Sequence, residues 1–298
     1  MHALKQFPGT KGRGLISTSF LRPGEVFLKE NPVASVLNPS KTSQYCHHCY
    51  RIHSSSTTPY CSSQCTTNAQ SLLDKCDATL LNNSTLSPSP SPRRFPFLIA
   101  QLVASSITDK TTTFHSFWKQ TLTLAAPDNF NGGEETAHDY DNLQKCFHSV
   151  MGTEASQAIF GSALDLDWYN RMHGILHVNS IGLNPLPSLT ETLSNPDPST
   201  YPIVNDVGVG LFLTASMLNH SCDPNLVMYR DPLEHDSSVM FVAARDIQVN
   251  EECTISYLSN SLTSNVHARK EELLYKYGFA CNCALCQSQS KTRTMKEE

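Results

Sequence analysis

The chain has 298 residues, 39% of them hydrophobic and 16% charged, with a formal net charge of −5. That length supports one elaborate domain or two small ones, and it contains no apolar run long enough for a membrane span. With 22 Lys+Arg against 27 Asp+Glu, the chain lacks the basic footprint that nucleic-acid phosphates require, so direct nucleic-acid binding is not expected.

Taken in chain order, the first residues, Met1 to Gln6, lack the apolar core of a secretory signal, which places the chain inside the cell. Gly14–Ser17 and Glu25–Leu28 read as strands around a Pro23-Gly24 turn, with a third strand from Val33 to Leu37. Segment 46–76 is polar and strand-poor, and 82–94 is a low-complexity linker of Asn, Ser and Pro. From Pro96 the period becomes helical. Phe97, Leu98, Ala100, Leu102 and Val103 mark one helix, Phe114, Phe117, Trp118 and Leu122 a second, and Leu143, Phe147, Val150 and Met151 a third. Gly132-Gly133-Glu134-Glu135 reads as a loop between the last two, and the proline-rich stretch 185–205 as an exposed loop. Strands return at Leu226–Tyr229, Val239–Ala244 and Cys253–Tyr257. Val266–Tyr277 reads as a helix closed by Gly278, before a Lys/Glu tail expected to fray. Strands at both ends and helices between them make this an α+β, β-rich fold with two insertions.

The 11 cysteines are the compositional outlier, and in a reducing compartment clustered thiols favour metal over disulfides. Cys46-x2-Cys49 and Cys61-x3-Cys65, eleven residues apart, supply four thiolates that can close on one tetrahedral Zn²⁺. So polar a segment needs metal to fold. His47, His48 and His53 lie in the same stretch and read as solvent-exposed rather than as ligands. Cys281-x-Cys283-x2-Cys286 supplies three more thiolates, with Cys222 the choice for the fourth; a water there would instead leave a position open. Cys146 and Cys253 read as small buried hydrophobes, and Asn225, in Asp-Pro-Asn, as a turn former.

Three stretches recur in an informative order: Asn219-His220-Ser221-Cys222-Asp223-Pro224-Asn225, Ile255-Ser256-Tyr257-Leu258, and Tyr277-Gly278-Phe279-Ala280 running into the late cysteine cluster. With Gly208–Leu218 before them, they resemble SET-domain lysine methyltransferases, most of all the SET-and-MYND family. Lys11-Gly12-Arg13-Gly14-Leu15 is similar to that family's N-terminal cofactor loop, and Leu21-Arg22-Pro23-Gly24-Glu25 continues the pattern. The resemblance implies a SET fold with knot-like C-terminal threading, divided into an N-terminal SET part (1–45), a reduced MYND-like finger (46–80), a linker (81–95), a helical insert (96–175), a C-terminal SET part (176–262) and a zinc-bound post-SET segment (263–298).

It also implies an S-adenosylmethionine-dependent protein-lysine N-methyltransferase acting on histone or non-histone lysines, monomeric, in the nucleus and/or cytoplasm. Gly12, Arg13, Gly14, Asn179, Ser180, Asn219, His220 and Phe279 would hold the donor. Tyr257 would contact it and be catalytic, while Tyr277, Ile181 and Phe212 would line the lysine channel. Three departures stand out. The finger lacks the family's middle cysteine pair, Leu72 stands at the histidine position, and Cys76 alone remains of the second metal site, so two structural zincs per chain are expected. Ile181 and Phe212 replace the usual Phe and Tyr. The sequence stops near the post-SET segment, before the family's helical repeat domain. The rival reading is a catalytically inactive adaptor that keeps the fold for protein–protein interaction; a zinc-finger nucleic-acid binder is disfavoured by the charge.

Overall fold

A computed structural model of the chain describes residues 2–8, 11–53, 58–69, 94–108, 114–127, 132–161, 163–183, 189–190, 207–230, 237–258 and 265–297. Leu72, Cys76 and nearly all of the linker lie outside these residues. The strands are β1 (His2–Phe7), β2 (Gly12–Ser17), β3 (Val26–Glu30), β4 (Ala34–Leu37), β5 (Ser180–Gly182), β6 (Gly208–Leu211), β7 (Asn219–His220), β8 (Leu226–Tyr229), β9 (Val239–Ala243) and β10 (Glu252–Ile255). They form three small sheets, ordered β1-β2-β10-β7, β3-β9-β8 and β4-β6-β5. One pairing positions the site. β10 runs parallel to β7, with Thr254 beside Asn219 and Ile255 beside His220. A parallel pair needs a long crossover, here supplied by β8 and β9, and it brings the Asn-His turn against the strand that leads to Tyr257. The inward faces bury Leu15, Leu21, Phe27, Phe212, Leu218 and Phe241 in a common core.

The helices are α1 (Ser63–Ala69), α2 (Phe95–Thr108), α3 (Phe114–Thr121), α4 (Gly133–Met151), α5 (Thr153–Phe160), α6 (Leu166–Asn179), α7 (Val266–Tyr277) and α8 (Ala284–Glu297). In α2, Leu98, Ile99, Ala100, Leu102 and Val103 are all fully buried, as expected for a helix covered on most of its circumference. α6 starts on an Asp165 cap, whose carboxylate accepts from Trp168 N at 2.8 Å. It buries Tyr169, Met172, Ile175 and Leu176 in a core continuous with Ala34 of β4 and Leu211 of β6. The insert is therefore fused to the β4-β6-β5 sheet, and α6 delivers Asn179 and Ser180 directly into β5.

Two expectations are corrected. Gly133, Glu134 and Glu135 are not loop but the first turn of α4, where two carboxylates meet the positive end of the helix. The tail does not fray after Cys286: α8 continues to Glu297, through a stretch with no Gly or Pro to stop it. Cys146 and Cys253 are fully buried, as expected. No helix among the described residues is long and apolar enough to cross a membrane.

Candidate active site

The site begins with a clamp on the chain that precedes it. The Glu30 carboxylate accepts hydrogen bonds from Thr214 N (2.9 Å) and Ala215 N (2.8 Å), fixing the short turn at Ala215–Met217 that aims Asn219 and His220 into β7. After the turn, Asn225 does more than reverse the chain. Only 1% exposed, it donates to Glu251 Oε1 (3.0 Å) and Glu252 O (2.8 Å) and accepts from Thr254 N (2.8 Å), which locks the loop onto β10. These are bonds to residues distant in sequence, so its role is structural but not that of a simple turn former.

Four rings converge next to this turn. Tyr257 lies 5.4 Å from His220, 4.9 Å from Tyr277 and 6.4 Å from Phe279, ring centroid to centroid, and His220 lies 6.1 Å from Phe279. Tyr277 and Phe279 reach this place because Gly278, at φ 74°, turns the chain sharply where α7 ends. His220 is fully engaged. Its Nδ1 accepts from Tyr257 N (3.0 Å), so the proton sits on Nε2, which faces Cys222 Sγ at 3.2 Å. The Tyr257 hydroxyl donates to Leu218 O at 2.5 Å, and Tyr277 donates to Tyr257 O at 3.4 Å. Burial pushes the phenols of Tyr257 and Tyr277 above their ordinary range, so both stay protonated at neutral pH.

The glycines of the N-terminal loop act differently from one another. Gly12 has φ +67°, and a Cβ there would meet nothing within 4 Å; its requirement is the left-handed backbone. Gly14 has no such φ, but a Cβ would come within 2.4 Å of Asn219 Nδ2. Asn219 donates from that nitrogen to Arg13 O (3.1 Å) and Glu252 Oε1 (2.9 Å). Arg13 Nη2 donates to Thr123 O, and Asn179 Nδ2 donates to Ala125 O at 2.7 Å, so both side chains grip the segment that follows α3. Ser180 Oγ is buried and, among the described residues, has no hydrogen-bond partner. Ile181 is half-buried in β5, next to Ser180. Phe212 is fully buried in the sheet core, packed with Leu218 and Phe241.

The eight expected metal ligands form two quartets, Cys46/Cys49/Cys61/Cys65 and Cys222/Cys281/Cys283/Cys286, each with its sulfurs within 4.8 Å of one another. Tetrahedral Zn–S bonds of ~2.3 Å put sulfurs ~3.8 Å apart. Cys49 and Cys61 are 3.5 Å apart, Cys61 and Cys65 3.7 Å, Cys222 and Cys281 3.8 Å, and Cys222 and Cys286 3.5 Å, so both donor sets fit zinc. In each, one thiol is held well below its ordinary range by a neighbouring thiol's hydrogen bond: Cys46 by Cys49, and Cys281 by Cys222 with help from His220. Among the described residues, the finger's buried cluster consists of Cys46, Cys49 and Cys65, with Tyr60 and Cys61 packed against it and no aliphatic side chain, the kind of core that a metal would hold together. His47, His48 and His53 are half-buried, not exposed. His47 Nε2 contacts Thr42 O, and His48 Nε2 contacts Asn68 Nδ2.

Two buried arginines, which sequence reasoning missed, support the quartets. Arg269 is completely buried; it donates to Cys286 Sγ (3.6 Å) and Gln289 Oε1 (2.7 Å). Arg230, 9% exposed, donates to Cys49 O and stacks over Tyr50 at 5.7 Å. A signal for Arg269 was present: Val266, Arg269, Leu273 and Tyr277 share one helical stripe, so a lone charge interrupts an otherwise apolar face.

The SET-domain model matches residues 12–258. The histone-lysine N-methyltransferase SMYD3 of Homo sapiens is 26% identical over 96% of this chain and 61% of its own length. A SET and MYND domain-containing protein of Dictyostelium discoideum is 26% identical over 93% of this chain and 81% of its own. The histone-lysine N-methyltransferase ASHR2 of Arabidopsis thaliana is 25% identical over 94% and 70%. The chain thus spans 61% of the length of SMYD3. With the SET-domain match covering most of its length, from the Gly12 loop to Leu258, the chain belongs to the SET-domain family, and it is similar over nearly its whole length to relatives of the SET-and-MYND type.

Proposed function

We propose that this chain is an S-adenosylmethionine-dependent protein-lysine N-methyltransferase. The observation that carries this reading is the meeting of His220, Tyr257, Tyr277 and Phe279 next to Asn219, on a segment that the Cys222 quartet clips in place. The residues present suit a donor molecule: among the described residues, Ser180 Oγ is a buried polar atom with no hydrogen-bond partner, and nothing lies within 4 Å of where a Cβ on Gly12 would stand. When bound, S-adenosylmethionine supplies an electrophilic methyl group, and the zinc ions are structural.

Gly12, Arg13, Gly14, Asn179, Ser180, Asn219 and His220 form the donor side, and Phe279 offers a ring face to it. Tyr277 and Ile181 flank the path of the lysine. Tyr257 is a hydrogen-bond donor rather than a base, because burial keeps its phenol protonated. His220 cannot serve as the base either, since both ring nitrogens are occupied. The chain's contribution is therefore to orient the amine and to strip water from its ammonium, which favours the neutral nucleophile, and the proton leaves to solvent. The acceptor is a protein lysine, on a histone or another protein, and a nuclear or cytoplasmic location and a monomeric state belong to the same reading.

Calorimetry with S-adenosylhomocysteine tests it. Saturable binding is expected, and no binding at millimolar ligand would leave the inactive adaptor in its place. Tyr257→Phe should bind the ligand almost unchanged and lose methyl transfer to extract proteins by about 100-fold. Equal loss of both would mean that Tyr257 builds the donor site instead.

A further inference from the structure

Glu252, at the start of β10, stands where the two donor-side segments meet. Its Oε1 accepts from Asn219 Nδ2 at 2.9 Å, and its Oε2 pairs with the Lys11 ammonium at the entrance to the Gly12–Gly14 loop. The carboxylate is 15% exposed against 47% for the lysine, so it is the sheltered member of the pair. The other proton of Asn219 Nδ2 goes to Arg13 O at 3.1 Å. Among the described residues, Asn219 Oδ1 takes no hydrogen bond.

A carboxamide is a two-faced group, with two donors on nitrogen and an acceptor on oxygen, while an ionised carboxylate and a backbone carbonyl can only accept. Flipping the Asn219 amide would set its oxygen against Glu252 Oε1 and Arg13 O together, losing two hydrogen bonds and creating two lone-pair contacts. Gly14 completes the fit, because a Cβ there would lie 2.4 Å from Asn219 Nδ2 and 3.2 Å from Glu252 Oε1. We propose that Glu252 is a positioning residue of the donor site: it fixes the Asn219 carboxamide with the carbonyl turned outward, so that this point of the site accepts an N–H-bearing group of the ligand. This rests on the donor-binding reading above. Asn219 touches the ligand, and Glu252 acts through it.

The test titrates the wild type, Glu252→Ala and Glu252→Gln with two ligands, alongside zinc content and thermal unfolding. S-adenosylhomocysteine carries an adenine amino group and an amino-acid ammonium; 5′-methylthioadenosine keeps only the first. Glu252→Ala is expected to weaken S-adenosylhomocysteine at least about tenfold with two zincs retained. Glu252→Gln, which can pair with either face of the amide, should weaken it less. A loss confined to S-adenosylhomocysteine places the ammonium at Asn219, and an equal loss on both ligands places the adenine amino group there; either supports the proposal. Variants that bind as the wild type does overturn it, whereas a wild type that binds neither ligand overturns the donor reading itself. Should Glu252→Ala unfold, a paired substitution decides. Asn219→Asp sets two carboxylates together and should lose binding, and adding Glu252→Gln, which supplies a donor, should recover part of it. Losses that simply add would sink the idea, because a merely structural glutamate predicts no rescue.

Discussion

The two thiolate quartets are chemically alike and do different work. In the finger, all four ligands fall between Cys46 and Cys65, and their sulfurs form most of the buried core. In the post-SET quartet, Cys222 is 59 residues from Cys281, so a metal held there would close a long loop and tie the Asn219-His220 turn to the segment carrying Tyr277 and Phe279. The arginines differ in the same sense. Arg230 reaches a backbone carbonyl of the finger, while Arg269 touches a ligand sulfur. A local quartet stabilises its own module; a long-range quartet makes the geometry of a distant site depend on its metal.

The strongest way to break this contrast is to remove one ligand from each quartet. Cys222→Ser should drop zinc content from two to one per chain, lower thermal stability sharply, and abolish S-adenosylhomocysteine binding in calorimetry. Cys49→Ser should also cost one zinc, yet leave ligand affinity within about twofold, with rapid amide exchange confined to residues 46–65. Loss of donor binding in both variants would mean that the finger, too, supports the site.

How much of this was legible in the sequence follows from the same contrast. Cysteine spacing reported the finger quartet directly, because all its ligands are local. The fourth post-SET ligand needed a tertiary inference. Leu226–Tyr229 and Val266–Tyr277 carry strong patterns, and the elements have those bounds. β7 does not: two residues long, it is a strand only because β10 lies beside it, and nothing in its own sequence encodes that. α6 was hidden by His173, Gly174 and His177 among its apolar positions. Glu30, Glu252, Arg230 and Arg269 were passed over because a single charged residue reads as solvated until its buried partner is known.

A sharper version of the comparison replaces the arginines. Arg269→Met keeps the bulk but leaves Gln289 and the Cys286 thiolate without their cation. A loss of about 3–5 kcal/mol is expected, with faster zinc transfer to a chelator from one of the two sites. Arg230→Ala removes a hydrogen bond from a charged donor and should cost about 1.5–3 kcal/mol. Its effect should show as increased exchange in the finger, with ligand affinity unchanged. If chelator transfer in Arg269→Met matches the wild type, the guanidinium only fills space.

The smallest expected effect separates what holds α7 from what starts it. Asn265 Oδ1 accepts from His267 N (2.9 Å) and Ala268 N (3.4 Å), an N-cap that satisfies donors at the helix start. Asn265→Ala should therefore cost only about 1 kcal/mol in thermal unfolding, with zinc content and ligand affinity intact. The reason is geometric: the cap lies at the far end of a 12-residue helix from Tyr277, and the buried face with Arg269 and Leu273 lies between them. If the cap variant lost ligand affinity as well as that small increment of stability, α7 would be marginal throughout, and its order would come from the start of the helix rather than from the zinc-bound end. If affinity holds, the metal end alone sets the position of Tyr277 and Phe279, which is what the long-range quartet requires.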